Sequence, residues 1–150
     1  MFVDGIFELC RAATSKGLRI IVVTNQGGIA KGLYTLEDFV NLTNWMNRRF
    51  LENGVKVTKV YHSPYHPDGV RVGLSTDHVT RKPNPGTIQL AEIEFELDLE
   101  NSILIGDKIT DVTAGQRAGV GTNLLLGNTE EQISEGAHAI TRLRSALKFI

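Results

Sequence analysis

Side chains able to bind a phosphate and a divalent cation stand at three places in the sequence. Thr24 and Asn25 end a run of Ile and Val, Lys82 lies in the stretch RKPNPG, and Asp107 ends another apolar run with Asp111 four residues later. A hydroxyl and nearby backbone N–H groups can bond phosphate oxygens, and a lysine neutralises phosphate charge. Mg²⁺ usually binds through carboxylates, water and phosphate. These residue types therefore predict a phosphate site at Thr24 and Lys82 with Mg²⁺ at Asp107.

The elements that must position these residues can be read from the apolar pattern. Short runs rich in branched apolar residues and bounded by polar ones are typical of buried strands. They predict strands over residues 19–25, 55–61, 102–107, 122–127 and 138–141. The second run is weaker and more alternating, and the last is a short edge strand.

The segments between these strands have helical spacing and end signals. The predicted helices run from a cap at Asp4 to Gly17, from a cap at Thr35 to Gly54, from Pro85 in the first turn through Phe95, from Thr110 to Ala118, and over 142–150. Strands that alternate with helices indicate an α/β fold with a parallel sheet and helices on both faces. Ligands bind such sheets at the carboxyl ends of the strands, where the candidate residues stand.

Composition narrows the class of protein. The chain has 150 residues, 41% hydrophobic and 22% charged, which fits one domain over residues 1–150. Sixteen Lys and Arg against seventeen Asp and Glu give a net charge of −1, which argues against a nucleic-acid partner. No apolar run reaches about 18 residues, so no membrane contact is expected. Cys10 is the single cysteine, and no secretory signal is evident, so a cytoplasmic protein is expected.

Three motifs, VTNQGGIAKGLYT, RKPNPG and IGDKITDVTAGQRAGVGT, resemble those of the haloacid dehalogenase (HAD) superfamily of phosphatases. The similarity runs from about residue 4 to residue 127 and is strongest to the heptose 1,7-bisphosphate and histidinol-phosphate phosphatase branch. It implies a three-layer Rossmann-like fold without a large cap. It also implies a Mg²⁺-dependent phosphatase that acts on a small sugar phosphate of the heptose bisphosphate type.

The resemblance implies a role for each matched residue. Thr24 matches the hydroxyl that bonds the transferring phosphoryl group, and Asn25 stands beside it. Lys82 matches the lysine that stabilises phosphoryl charge and the aspartyl-phosphate intermediate, and Arg81 matches a substrate-contacting arginine. The two carboxylates match the metal motif, in which Asp107 binds Mg²⁺ and Asp111 supports the metal or orients Lys82.

Two departures from the family pattern carry further expectations. The branch holds a structural zinc ion through two Cys-x-His/Cys pairs, and those positions here read Ser63, Tyr65, His78 and Thr80. With only His78 able to serve as a ligand, no zinc is expected.

The second departure concerns the first motif, a central strand that ends in Asp-x-Asp and supplies the nucleophile and the general acid. Only 23 residues precede Thr24, Asp4 occupies a helix-cap position, and position 6 is isoleucine. We therefore expect a chain that is N-terminally truncated relative to the family, lacks the first central strand and is inactive in isolation. Strands 19–25 and 102–107 should then pair directly, leave a slot, or accept a strand from another chain in a homodimer or strand-swapped assembly. The alternative function is a non-catalytic remnant that binds phosphate or serves as a structural partner.

Overall fold

The computed structural model describes residues 1–127, 133 and 135–150. Its strands are β1 (Ile20–Asn25), β2 (Val57–Ser63), β3 (Ile103–Gly106), β4 (Thr122–Leu126) and β5 (Ala137–Ile140). Its helices are α1 (Ile6–Ser15), α2 (Gly27–Ala30), α3 (Leu36–Glu52), α4 (Gly86–Phe95) and α5 (Ile109–Ala118), followed by a 3₁₀ helix over Leu143–Phe149. The predicted α/β fold is confirmed. None of the described helices is both long enough and apolar enough to cross a membrane.

The strands form two parallel sheets. β1 pairs with β2, with Thr24 opposite His62, while β3, β4 and β5 pair in that order, with Gly106 opposite Leu125. Within the described residues no hydrogen-bonded pairing joins β1 to β3, and a cleft lies between them. Of the three arrangements expected from the sequence, the chain adopts the one with a slot.

Helices hold the two sheets together. Leu9 of α1 packs with Leu124 of the larger sheet and with Leu143 of the 3₁₀ helix, whereas Cys10 of the same helix packs with Phe50 of α3 beside the smaller sheet. On the other face, Ile88 of α4 belongs to an apolar cluster against which Val23 and Leu104 pack, one from each strand beside the cleft. The sheets are therefore joined through side chains and not through backbone hydrogen bonds.

Helix α3 begins as the sequence predicts, and α1 does not. Thr35 accepts a hydrogen bond from the Asp38 N–H at 3.1 Å, and Asp38 accepts one from the Thr35 N–H at 2.8 Å, which completes a capping box. The predicted cap at Asp4 is wrong, because Gly5 is the capping residue of α1. Gly5 has φ 85°, and no side chain caps the helix. A residue with positive φ is tolerated at low cost when it is glycine.

Two further boundaries differ from the sequence expectation. Strand β2 begins and ends two residues later than expected. It begins late because Val55 is buried against Cys10 of α1 and Phe50 of α3 after the turn at Gly54 and does not join the sheet. The C-terminal segment is a 3₁₀ helix, in which Leu143 and Ala146 are buried three residues apart. Side chains three apart align in a 3₁₀ helix, so this spacing packs both onto the core.

Candidate functional site

The cleft between β1 and β3, here called the inter-sheet cleft, has a volume of about 310 Å³. It is lined by the carboxyl halves of both strands and by polar residues just beyond them. Four of the lining residues are predicted catalytic or metal-binding residues, namely Thr24, Lys82, Asp107 and Asp111, and Asn25 and Lys108 lie with them. The structure therefore places these separately predicted residues at one edge of the fold.

A buried ion pair fixes the lysine of the site. Lys82 Nζ lies 2.5 Å from Asp111 Oδ1, and the two side chains are only 11% and 10% exposed. The ammonium group also donates to the Val23 carbonyl oxygen at 3.0 Å. The other oxygen of Asp111, Oδ2, accepts from the Lys108 N–H at 3.1 Å, at the start of α5. The bond to the Lys108 N–H fixes the Asp111 carboxylate at the start of α5. The carboxylate in turn positions the Lys82 ammonium group at the carboxyl end of β1.

Asn25 uses its side chain to hold the backbone of Lys82. Its Oδ1 accepts from the Lys82 N–H at 2.9 Å, and its Nδ2 donates to the Lys82 carbonyl oxygen at 3.1 Å. This pair of bonds spans 57 residues of sequence. Asn25, predicted as a phosphate ligand, thus has its side-chain amide occupied in locating the lysine.

A short hydrogen-bond chain orients the Thr24 hydroxyl. Gln26 Nε2 donates to Thr24 Oγ1 at 3.0 Å, and Tyr34 donates from its hydroxyl to Gln26 Oε1 at 2.5 Å. The tyrosine ring reaches this position because residue 28 is glycine, where a Cβ would lie 2.2 Å from the ring. The Thr24 hydroxyl itself donates a long bond of 3.4 Å to the Asn25 carbonyl oxygen, and an acceptor bound in the cleft would have to replace that bond. The sequence alone did not identify Gln26 or Tyr34 as site residues.

Asp107 stands at the rim of the cleft. Its side chain is exposed and, among the described residues, makes no hydrogen bond or ion pair. Directly before it, a Cβ on Gly106 would lie 2.3 Å from the Cβ of Asp111, so the close approach of these two segments requires glycine. No group of three His, Cys, Asp or Glu that could hold a metal occurs in the described part of the chain. One free carboxylate that faces a phosphate site still fits Mg²⁺, which keeps several waters and often takes one or two carboxylates.

Arg81 does not line the cleft. Its Nη1 donates to the Tyr65 carbonyl oxygen at 3.3 Å, and the same atom lies within 3.1 Å of where a Cβ on Gly27 would be. His66 lies on the same side of Gly27, with its Cδ2 2.9 Å from that position. The structure thus places a cation and a histidine beside the segment that follows Thr24.

The tautomer of His66 follows from its surroundings. The Asp68 N–H donates to His66 Nδ1 at 2.9 Å, so the proton of the neutral ring lies on Nε2. Burial lowers the pKa of His66, and the positive charges of Arg81 and Lys31 lower it further. At neutral pH His66 is therefore an uncharged N–H donor next to Arg81.

The four positions that correspond to zinc ligands in the family converge on one another. Thr80 donates from its hydroxyl to the buried Ser63 hydroxyl at 3.0 Å, and His78 Nδ1 lies 2.8 Å from Thr80 Oγ1. The rings of Tyr65 and His78 stack with centroids 3.9 Å apart. We call these four residues the loop clasp. The loop is closed by hydrogen bonds and stacking between its own side chains, and the absence of zinc remains a prediction.

The chain is similar to a family of hydrolases and to phosphatases of known sequence. Residues 79–146 match the HAD-hydrolase-like family. A D-glycero-α-D-manno-heptose-1,7-bisphosphate 7-phosphatase from Burkholderia mallei is 43% identical over 95% of this chain and 76% of its own length. A D-glycero-β-D-manno-heptose-1,7-bisphosphate 7-phosphatase from Yersinia pestis is 38% identical over 92% of this chain and 73% of its own length.

Solved structures share the fold. A protein described as a HAD-like phosphatase from Mesorhizobium loti superposes with a TM-score of 0.89 at 32% identity, over 99% of this chain and 73% of its own. The D,D-heptose 1,7-bisphosphate phosphatase of B. bronchiseptica, solved with magnesium and phosphate, superposes with a TM-score of 0.84 at 23% identity. That alignment covers 99% of this chain and 82% of the other.

Proposed function

Because this chain belongs to the haloacid dehalogenase family, among relatives named as heptose bisphosphate phosphatases, we propose that it forms the phosphate- and Mg²⁺-binding part of a sugar-phosphate phosphatase. One observation carries the proposal. Lys82 Nζ is held between the Val23 carbonyl oxygen and Asp111, in the same cleft as Thr24 and Asp107. A cation and a hydroxyl can stabilise phosphoryl charge and a free carboxylate can hold Mg²⁺, so these groups at one sheet edge suit the binding of a phosphoryl group.

Each residue has a separate task in this proposal. Lys82 neutralises the negative charge of the phosphoryl group, and the Thr24 hydroxyl donates a hydrogen bond to one of its oxygens. Asn25 keeps the lysine in place through its backbone. Asp107 holds Mg²⁺, which when bound neutralises phosphoryl charge. Asp111 acts on Lys82, since both of its oxygens are already occupied.

We propose that the substrate is a sugar bisphosphate of the heptose type. Arg81 Nη1 and the side chain of His66 lie beside Gly27, three residues beyond Thr24. In this proposal a substrate phosphate binds between Thr24 and Lys82, and the rest of the molecule extends toward this pair. Guanidinium groups bind phosphate through paired hydrogen bonds, so Arg81 with His66 is suited to the second phosphate. The relatives are named for both anomers, so both are test substrates.

We further propose that the isolated chain binds phosphate without turning it over. A covalent phosphoryl intermediate needs a free nucleophile. Of the described carboxylates in the cleft, Asp111 is paired with Lys82 and Asp107 is assigned to the metal. The second candidate function, a non-catalytic phosphate-binding protein, rests on the same observation.

Binding and turnover experiments separate these possibilities. Phosphate is titrated calorimetrically with and without Mg²⁺ against the native chain, against Lys82→Met combined with Asp111→Asn, and against Lys59→Ala. The double variant avoids an unpaired buried charge, and Lys59→Ala removes a lysine that pairs with Glu94 outside the cleft. We expect the Lys82→Met, Asp111→Asn double variant to lose phosphate binding and Lys59→Ala to keep it. Equal binding by all three proteins would overturn the site.

Turnover is measured as phosphate release from both heptose bisphosphate anomers, histidinol phosphate and an aryl phosphate with Mg²⁺. We expect none from the chain alone. Release that disappears in Asp107→Ala would support the phosphatase and refute the inactivity of the isolated chain. Anion binding at Lys82 that Mg²⁺ does not strengthen would favour the non-catalytic function.

A further inference from the structure

We infer that Ser63 and Thr80 are positioning residues of the phosphate site, because the hydrogen bond between their hydroxyl groups joins the two segments that supply it. One segment carries Thr24 and the other carries Lys82. The inference rests on the proposed function, since it concerns the same phosphate, but neither hydroxyl lines the inter-sheet cleft. Both residues act through the backbone segments to which they belong, without touching the ligand.

Ser63 connects the bond to the segment of Thr24. It is the last residue of β2, it lies opposite Asn25 in the sheet, and it is fully buried. Its carbonyl oxygen accepts a hydrogen bond from the Gln26 N–H at 2.7 Å, just beyond the end of β1. The Gln26 side chain in turn donates to the Thr24 hydroxyl. A displacement of Ser63 therefore reaches the residue that orients Thr24.

Thr80 connects the bond to the segment of Lys82, which lies two residues later in the chain. Two groups on either side of this lysine bind one carbonyl oxygen. The Arg81 N–H donates to the His78 carbonyl oxygen at 2.9 Å, and Asn84 Nδ2 donates to the same oxygen at 3.0 Å. The loop around Lys82 is thus held to the stretch of chain that Thr80 anchors.

Two connections join the same two segments at separate points. Asn25 bonds the backbone N–H and the carbonyl oxygen of Lys82. Two residues earlier in the loop, Thr80 donates from its hydroxyl to Ser63 at 3.0 Å. One connection alone would let the loop turn about it, whereas two fix both its place and its direction. Because groups that bind a ligand keep their geometry when neighbouring hydrogen bonds lock them, the hydroxyl bond sets the direction in which the Lys82 side chain leaves its loop.

The bond lies where water has little access. Ser63 is fully buried and Thr80 is half-buried. Removing one partner of a buried hydrogen bond is costly, since the group that remains has neither its bond nor its solvation. Because such a bond also stabilises the fold, its effect on the site has to be measured in the folded protein.

The test measures two properties of the folded full chain, namely phosphate affinity by calorimetry and the exchange rate of the Lys82 amide hydrogen by NMR. Thr80→Val removes the hydroxyl and keeps the shape of the side chain, whereas Thr80→Ser keeps the hydroxyl. Thr14→Val is the matched control, because the Thr14 hydroxyl bonds the Cys10 carbonyl oxygen at 2.8 Å within α1, outside the cleft.

We expect Thr80→Val to weaken phosphate binding about fivefold and to speed exchange of the Lys82 amide several-fold, because its bond to Asn25 loosens. Thr80→Ser and Thr14→Val should leave both quantities within about twofold of those of the native chain. Ser63→Ala should match Thr80→Val. The double variant of these two should bind phosphate no more weakly than either single variant, since all three lack the same bond.

Native phosphate affinity and native Lys82 exchange in Thr80→Val would overturn the inference. Equal changes in Thr80→Val and Thr14→Val would do the same, because they would indicate a general loss of stability. Additive effects of Ser63→Ala and Thr80→Val would mean that the two hydroxyls act separately, which also contradicts it. If the native chain binds no phosphate, the proposed function fails, and the Lys82 exchange rates of the same variants still decide whether the hydroxyl bond positions the lysine.

Discussion

Replacing Asp111 tests the contact on which the site depends. Removing one partner of a buried ion pair costs about 3–5 kcal/mol, because the other charge stays buried without a partner. Lys82 keeps one hydrogen bond, to Val23, so we take the lower end and expect Asp111→Asn to reduce the free energy of unfolding by about 3 kcal/mol. Asp111→Ala also removes the acceptor for the Lys108 N–H at the start of α5, so we expect it to lower the free energy of unfolding by roughly 1 kcal/mol more than Asp111→Asn does.

The assay is urea unfolding at neutral pH, followed by circular dichroism, for a cycle of Asp111→Asn, Lys82→Met and the double variant. Because Lys82→Met removes the stranded charge, we expect the double variant to be more stable than Asp111→Asn alone by roughly 2 kcal/mol. Glu52→Gln is the matched control, since the pair of Glu52 with Arg49 is half-exposed and should contribute less than about 1 kcal/mol. A loss below about 0.5 kcal/mol in Asp111→Asn, or additive effects in the cycle, would refute the buried pair.

Four other predictions concern separate features. Tyr34→Phe should weaken phosphate binding several-fold in calorimetry, because Gln26 then loses the donor that orients it; unchanged affinity would show that the hydrogen-bond chain does not act on the anion. Cys10 is buried and burial raises the pKa of its thiol, so the native protein should resist a thiol reagent that labels the unfolded chain fully, and rapid labelling would contradict this packing. Folding lowers the pKa of His66, so the unfolded state binds more protons than the folded state between that lowered pKa and about 6.5. The free energy of unfolding should therefore rise with pH across this window, and His66→Gln should reduce that rise. A pH profile of the variant identical to that of the native chain would contradict the assignment. Elemental analysis of protein purified without added metal should find no stoichiometric zinc, and one zinc per chain would reverse the interpretation of the loop clasp.

The residues at strand ends were predictable because their signals are local. Thr24 and Asp107 each follow an apolar run of recognisable length, and parallel strands end at one edge of a sheet. Lys82 comes from a loop, and its position at that edge could be predicted only from the resemblance of the RKPNPG motif to the family. The sequence was thus sufficient to bring these groups together.

What the sequence could not provide is the direction in which long side chains extend. Arg81 and Lys82 are neighbours in the chain, yet one contacts Tyr65 and the other enters the cleft. Asn25 could equally have faced a ligand, and its bonds to a backbone 57 residues away are a tertiary property. The 3₁₀ helix near the C-terminus and the late start of β2 likewise depend on what each segment packs against.

The division of the strands into two sheets also has a consequence for how the molecule opens. The strands of the smaller sheet lie before residue 64 and those of the larger sheet lie after residue 102. The backbone hydrogen bonds of each sheet therefore join strands from one continuous part of the sequence. The two sheets are connected by side-chain contacts of α1 and α4 and by Lys82, which contacts both Val23 and Asp111. Proteins exchange amide hydrogens in cooperative units that open with different free energies. Because no backbone pairing joins the two described sheets, we expect the two halves to form two such units. Loss of the Lys82–Asp111 ion pair should then let them exchange at more separate rates.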